Sequence, residues 1–465
     1  MPEPATSTPV TPVRFDRALV RKYDRPGPRY TSYPTAPHFR DDFTADDHAR
    51  LLAAGRESKR PLSLYVHVPF CRTRCLFCGC NVTIARDPER ASRYLPLLDR
   101  EMARVAALAG GERPVVQIHW GGGTPSFVSP SEVRELMATI RRRFRVTDGC
   151  EIGVEIDPRR TSDEHLDALA ESGVRRLSLG VQDLDPRVQR AVRRVQPAET
   201  VERVIEGARR RGAESVNVDL IYGLPHQTPE SFAATLDAVV AMAPDRVALF
   251  NFAYLPATFP HQRALDAAAL PDADCKLTLL ELSIERLTEA GWVFIGMDHF
   301  ARPGDPLAKA FADGTLRRNF QGYTTGGDSD LLAFGASSIS ATGDGFAQNL
   351  RGVEDYTRAI VDGGLATARG LWTTTEDRLR GAVIQRLMAR FRLDKREFEA
   401  RWDVDFDRRF AAELEALEPL AADGLVELEE ESIEVTPLGR LLVRNVAMPF
   451  DAHLGKTAVE YSRTV

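Results

Sequence analysis

The chain has 465 residues, enough for a catalytic body and a smaller appended domain. It is 43% hydrophobic and 28% charged, and 61 basic against 67 acidic side chains leave a formal charge of −6, which excludes bulk attraction to nucleic acid. No stretch reaches the roughly 18 consecutive apolar residues that span a bilayer, and the N-terminus MPEPATSTPVTPVRFD has no apolar signal core, so a cytoplasmic protein with reduced thiols is expected.

Residues 1–60 read as a disordered tail to about residue 14, followed by an ordered arm, YDRPGPRYTSYPTAPHF, laid across a later domain. From Pro61 a strand-then-helix rhythm begins. Leu62–Val68 is a short β-rich run, a charged amphipathic helix follows over about 89–108, and Val115–Trp120 is the next strand. A helix over about 130–143 precedes the strand Glu151–Ile156, and further strands are predicted at Arg176–Val181, Ser215–Ile221, Arg246–Phe252 and Val293–Gly296. Between them Val201, Val204, Ile205 and Ala208 share one helix face, as do Leu277, Leu280, Ile284 and Leu287. Serial βα units demand a parallel sheet. The fold class is therefore α/β, and residues 61–365 are expected to form a partial or full (β/α) barrel with function at the C-terminal strand ends. An open doubly wound sheet has the same rhythm.

Over 366–465 the pattern changes. Thr373 and Glu376 suggest a capping box ahead of a helix carrying Leu379, Val383 and Leu387. A helix near 408–421, a hairpin of Gly424–Leu428 with Ser432–Thr436, and a last helix from Pro437 complete a smaller, mainly helical, winged-helix-like domain.

Four of the six cysteines lie within ten residues: Cys71, Cys75, Cys78 and Cys80. A disulfide framework does not suit a long cytosolic chain, so metal or redox chemistry is the better reading. Three thiolates in one loop hold three irons of a four-iron cluster and leave the fourth open. Structural zinc prefers two separated ligand pairs, and the second pair is missing here. Cys150 and Cys275 read as packing or surface residues.

The run C-x3-C-x-[aromatic]-C after the first strand of a βα series resembles the radical S-adenosylmethionine (SAM) superfamily. PRYTSYPTA, YVHVPFC, CGCN, HWGGGTP, VEIDPR, GVQD, NVDLIYGLPHQT, GMDHFARP and RNFQGYTT together resemble the oxygen-independent coproporphyrinogen III oxidases, in one register from about residue 15 to the C-terminus. The resemblance implies a [4Fe-4S] cluster on Cys71, Cys75 and Cys78, with SAM on the open iron. Reductive cleavage would yield a 5′-deoxyadenosyl radical. It implies decarboxylation of two propionates of coproporphyrinogen III to vinyl groups, giving protoporphyrinogen IX in haem biosynthesis, with an electron donor and an acceptor that the sequence does not name.

Residue by residue, the resemblance places Gly122 and Glu155 at the SAM on the cluster. A second SAM falls to Gly123, Thr124, Gln182, Arg194 and Asp219, while Tyr65, Phe77, Ala253 and Ile339 line these sites. Cys80 is implied in catalysis without ligating the cluster. Glu155, Asp157, Gln182 and Asp219 fall at predicted strand ends, as barrel sites require; each also suits a helix cap. The Gly121–Gly123 run removes every Cβ, so the backbone can approach a ligand closely. Arginine suits propionates, which makes Arg29, Arg302 and Arg318 candidates, with Tyr30, Tyr33, Gln321 and Tyr323 as pocket residues. His67, His119 and His299 read as core or supporting groups. A haem chaperone of the same superfamily is the alternative, but such relatives lack Cys80 and the PRYTSYPTA segment. A DNA-binding role for the C-terminal region is opposed by Glu429-Glu430-Glu431. The expected protein is a monomer, without nucleic-acid partner or membrane span.

Overall fold

The structure, a computed structural model, describes residues 13–456 and 461–464. The predicted N-terminal tail therefore lies almost wholly outside the described residues. Packing divides the chain into two compact units: a larger one from Phe39–Leu279 and Asp328–Trp372, and a smaller one from the described residues up to His38, Leu280–Gly327 and the described residues from Thr373.

In the larger unit ten strands form one sheet. In chain order they are β1 (Leu62–Val68), β2 (Pro114–Gly122), β3 (Arg145–Ile156), β4 (Arg176–Gln182), β5 (Ser215–Tyr222), β6 (Arg246–Asn251), β7 (Asp330–Phe334), β8 (Ile339–Thr342), β9 (Gly345–Asn349) and β10 (Thr367–Trp372). Their spatial order is β10-β9-β8-β7-β1-β2-β3-β4-β5-β6. From β7 through β1 to β6 all neighbours are parallel, while β7 to β10 pair antiparallel. The parallel part is a (β/α) partial barrel. The β-branched and leucine-rich strands are buried on both faces, as in β1 and β5, because helices cover a parallel sheet.

The predicted helices form where the apolar period placed them: Glu89–Ala109, Pro130–Arg143 and Ala198–Arg210. Ser129 and Glu132 cap the second of these reciprocally. Val201, Val204, Ile205 and Ala208 make the buried face of the third. The antiparallel extension β8–β10 was not anticipated from sequence; its strands have four to six residues, too short for alternation to stand out.

The smaller unit has its own core. Tyr30, Tyr33, Ile295 and Leu316 pack with Val383, Leu387, Phe391 and Phe410. Its units thus cut across the linear boundaries at 60 and 365, because the apolar faces of the arm and of residues 280–327 join the core made by the C-terminal segment. The helix Thr375–Arg390 is capped by Thr374 and Asp377, one residue later than the predicted Thr373 and Glu376. Thr374 is the extended residue whose hydroxyl accepts from the Asp377 backbone N–H. The predicted hairpin forms from Val426–Leu428 and Ser432–Val435, joined by Arg392–Asp394 as a third strand. After Pro437 the chain makes a 3-10 turn at Arg440–Leu442 before the helix Val443–Ala447. Val293–Gly296 does not start another parallel unit; it pairs antiparallel with His299–Ala301.

Candidate active site

The cysteine loop leaves the C-terminal end of β1 and is closed by a parallel pairing of Phe70–Cys71 with Thr83–Ile84. Cys75 is buried, Cys71 and Cys78 are half-buried and Cys80 is exposed. All four line a cavity of about 740 Å³ that lies entirely within the larger unit. Cations stand against this loop: Arg194 Nη1 is 3.7 Å from Cys75 Sγ and Arg159 Nη2 4.0 Å from it. The Thr124 hydroxyl lies 3.4 Å from Cys71 Sγ. Burial pushes the Cys71 thiol up to about 11. A hydrogen bond with Cys80 draws Cys78 down to about 6 and leaves Cys80 raised.

The parallel register brings three carboxylates, from the end of β3 and from β5, to the same cavity. Glu155 on β3 accepts from His119 Nε2 at 3.1 Å and from the Gly122 backbone N–H at 3.3 Å. Burial raises its pKa, but the His119 contact and the Gly122 N–H outweigh it and hold Glu155 below its ordinary value. Asp219 on β5 accepts from Asn217 Nδ2 at 2.7 Å. Burial, then the nearby Glu155, push Asp219 up to about 7. One carboxylate is thus held ionised and its neighbour is poised to stay protonated. Asp157 pairs with Arg159 at 2.6 Å and with Arg194 at 3.4 Å.

The glycine turn also has a basis inside the protein. A Cβ at Gly121 would lie 2.8 Å from Glu155 Oε1, and one at Gly122 2.6 Å from the His67 ring. The glycines therefore let Glu155 and His67 close against the backbone. His67 is itself fixed, its Nδ1 accepting from the Tyr65 hydroxyl at 3.1 Å and its Nε2 donating to the Asn81 carbonyl at 3.0 Å. Gln182, the last residue of β4, has φ 72°, a conformation costly for a side chain with a Cβ and a mark of functional constraint at a cavity wall.

Of the residues singled out from sequence, Cys71, Cys75, Cys78, Cys80 and Phe77 line the cavity from the loop. Gly122, Gly123, Thr124, Glu155, Gln182 and Asp219 line it from the strands and the turns that follow them, and Arg194 from the loop after the helix Pro186–Ala191. Tyr65, Ala253 and Ile339 are not in its wall. Tyr65 stacks on His119 with centroids 6.1 Å apart, the Ala253 carbonyl accepts from Gln262, and Ile339 pairs with Gln348. Sequence reasoning missed Arg159, whose signal is its place three residues past the end of β3, and the partnership of His119 with Glu155.

A model of the Radical SAM superfamily matches residues 65–239, and one of the HemN C-terminal domain matches residues 373–442. The oxygen-independent coproporphyrinogen III oxidase of Salmonella typhimurium is 48% identical over 455 residues, 97% of this chain and 99% of that protein. Its namesake from Escherichia coli is 47% identical over 458 residues, 98% of this chain and 100% of that protein. This chain belongs to the oxygen-independent coproporphyrinogen III oxidase family. The solved structure of coproporphyrinogen III oxidase (HemN) from Escherichia coli, a radical SAM enzyme, superposes with a TM-score of 0.91 at 46% identity, covering 96% of this chain and 100% of that one.

Membership of the radical SAM superfamily brings a [4Fe-4S] cluster and SAM, and the oxidase-family residues here fit both. Among the described residues no three His, Cys, Asp or Glu side chains converge on a single ion; a four-iron cluster instead takes one thiolate per iron. Gln182 Oε1 and Arg194 Nε, on residues of the cavity wall, are buried without a protein partner, an acceptor and a donor of the kind a polar cofactor satisfies.

Proposed function

We propose that this chain converts coproporphyrinogen III to protoporphyrinogen IX without oxygen, decarboxylating two propionates to vinyl groups in haem biosynthesis. Near full-length identity to oxidases of that name supports this reading. In it Cys71, Cys75 and Cys78 hold the cluster, and Cys80 serves catalysis without ligating it. Gly122 and Glu155 contact one SAM; Gly123, Thr124, Gln182, Arg194 and Asp219 contact a second; Phe77 completes the lining, and Tyr65, Ala253 and Ile339, which stand outside the cavity wall, take no direct part. When bound, the cluster and SAM supply a carbon-centred radical able to take a hydrogen atom from a propionate side chain.

The chain's own share is charge, placement and shielding. His119 keeps Glu155 ionised and oriented as an acceptor, for which a ribose diol or an ammonium group is the fitting donor. Arg194 and Arg159 offset negative charge at the cysteine loop. The protein works in the cytoplasm as a monomer, with a separate electron donor and acceptor. No described helix is long and apolar enough to cross a membrane.

The test is anaerobic reconstitution followed by turnover with coproporphyrinogen III, SAM and a strong reductant. Protoporphyrinogen IX, methionine and 5′-deoxyadenosine are the expected products. SAM cleavage with the tetrapyrrole unchanged would sink the reading. Within the same assay, serine at Cys71, Cys75 or Cys78 should abolish the brown cluster absorbance and all SAM cleavage. Cys80→Ser should keep the absorbance and lose tetrapyrrole turnover.

A further inference from the structure

Three arginines were candidates for tetrapyrrole carboxylates, and the smaller unit separates them. Arg29 forms an ion pair with Asp298. The Arg302 guanidinium lies 3.4 Å over the Trp292 ring and donates to the Ala290 carbonyl at 2.9 Å. Both are occupied in holding the fold. Arg318 is not. It lies in the strand Arg317–Asn319, directly across from Tyr323 in the antiparallel partner Gly322–Thr324. Only 6% of the residue is exposed, yet its Nε and Nη1 have no hydrogen-bond partner.

Its neighbours explain the placement without neutralising it. The guanidinium lies 4.9 Å from the centroid of the Tyr323 ring. Tyr323 is locked by donating to the Met388 carbonyl at 3.0 Å and by an edge contact with His299. Gln385 donates to the Arg318 backbone carbonyl at 3.0 Å, which pins the strand itself. Asp298, the acid that acts on Arg318, is already paired with Arg29, so the trio Arg29, Asp298 and Arg318 carries one uncompensated positive charge. Burial pushes the Arg318 guanidinium below its ordinary pKa. A buried, unpaired cation is among the costliest arrangements a fold can hold, and one pre-organised by packing on both sides is arranged for a partner that arrives later.

We propose that Arg318 is a carboxylate-binding residue, a free N–H on its Nε or Nη1 donating to a propionate of the tetrapyrrole as a charge-assisted pair. This rests on the oxidase reading, which supplies a ligand carrying carboxylates beyond the one that reacts. A charge-assisted pair needs the negative charge that an ester lacks, so the site selects acid over ester.

The test uses the full, reconstituted chain. Binding of coproporphyrin III and of its tetramethyl ester is followed by fluorescence, beside the KM for coproporphyrinogen III. Arg318→Met should weaken acid binding tenfold or more, leave ester binding within twofold, and melt no lower than the natural chain, since it removes an uncompensated charge. Arg318→Lys should fall between. Unchanged acid binding in Arg318→Met would overturn the proposal. Equal weakening of acid and ester with a lowered melting temperature would also overturn it, marking a merely structural residue. Failure of the natural chain to convert coproporphyrinogen III would count against the oxidase reading alone, because the preference for acid over ester is read from binding.

Discussion

Asp219 and Glu155 show how one cavity sets two carboxyls to opposite states. Asp219 is raised from 3.8 to about 7, by burial first and then by Glu155, whereas the His119 and Gly122 contacts hold Glu155 low. For Asp219 the folded chain retains a proton that the unfolded chain has released, so between about pH 4 and 7 folding takes up a proton and stability falls as pH rises. The depressed Glu155 acts in the opposite sense and only below its ordinary value. Asp219→Asn should therefore stabilise the cofactor-free chain more at pH 8 than at pH 5, by a difference on the order of 2 kcal/mol, measured as urea midpoints at the two pH values. An equal effect at both would rule out the buried charge as its source. The cysteine ligands were legible because their spacing is local and all of it falls in one loop. The pairing of His119 with Glu155 was not, because it joins strands 36 residues apart and needs the register of the sheet.

At the scale of elements, βα alternation was readable wherever a strand was followed by a helix long enough to show its period. The antiparallel extension was not, and one buried carboxyl ties much of it down. Glu101, on the helix Glu89–Ala109, accepts from the Gly335 N–H at 2.8 Å, Asn349 Nδ2 at 2.6 Å and the Tyr356 hydroxyl at 2.7 Å. These donors come from the turn after β7, from the end of β9 and from the helix Val353–Val361. A lone Glu within a helix has no sequence signature for this; it reads as one more charge on a surface face. Replacing it with alanine leaves three buried donors without an acceptor, a loss of about 2–4 kcal/mol. Glu101→Gln should recover part of this through its carbonyl oxygen. Urea denaturation checks the order natural chain, Glu101→Gln, Glu101→Ala; a surface-like change below about 0.5 kcal/mol for alanine would show that the three contacts do not act as a knot.

The whole molecule differs most from its linear description, since sequence order suggests an arm, a barrel and a terminal domain in succession. Hydrophobic faces do not respect that order. Tyr30 and Tyr33 from the arm, and Ile295, Leu307 and Leu316 from the middle of the chain, are each under 10% exposed in a core completed by Val383, Leu387, Phe391 and Phe410. Periodicity marks such residues as buried but cannot say against what, so the partnership was unreadable from a single chain. Its consequence is specific. If the terminal region were an appendage, a chain ending at Trp372 would keep a folded catalytic body. With the core built as it is, that truncation uncovers the five side chains named from the arm and the middle segment. At about 1.5–3 kcal/mol for each large apolar group, the loss matches the 5–15 kcal/mol that roughly bounds the stability of a whole domain. The truncated chain should be expressed as aggregate, or should bind a hydrophobic dye strongly and melt without cooperativity. A monodisperse fragment with a sharp thermal transition would mean that residues 14–38 and 280–327 are held by something other than the core they share with the C-terminal segment.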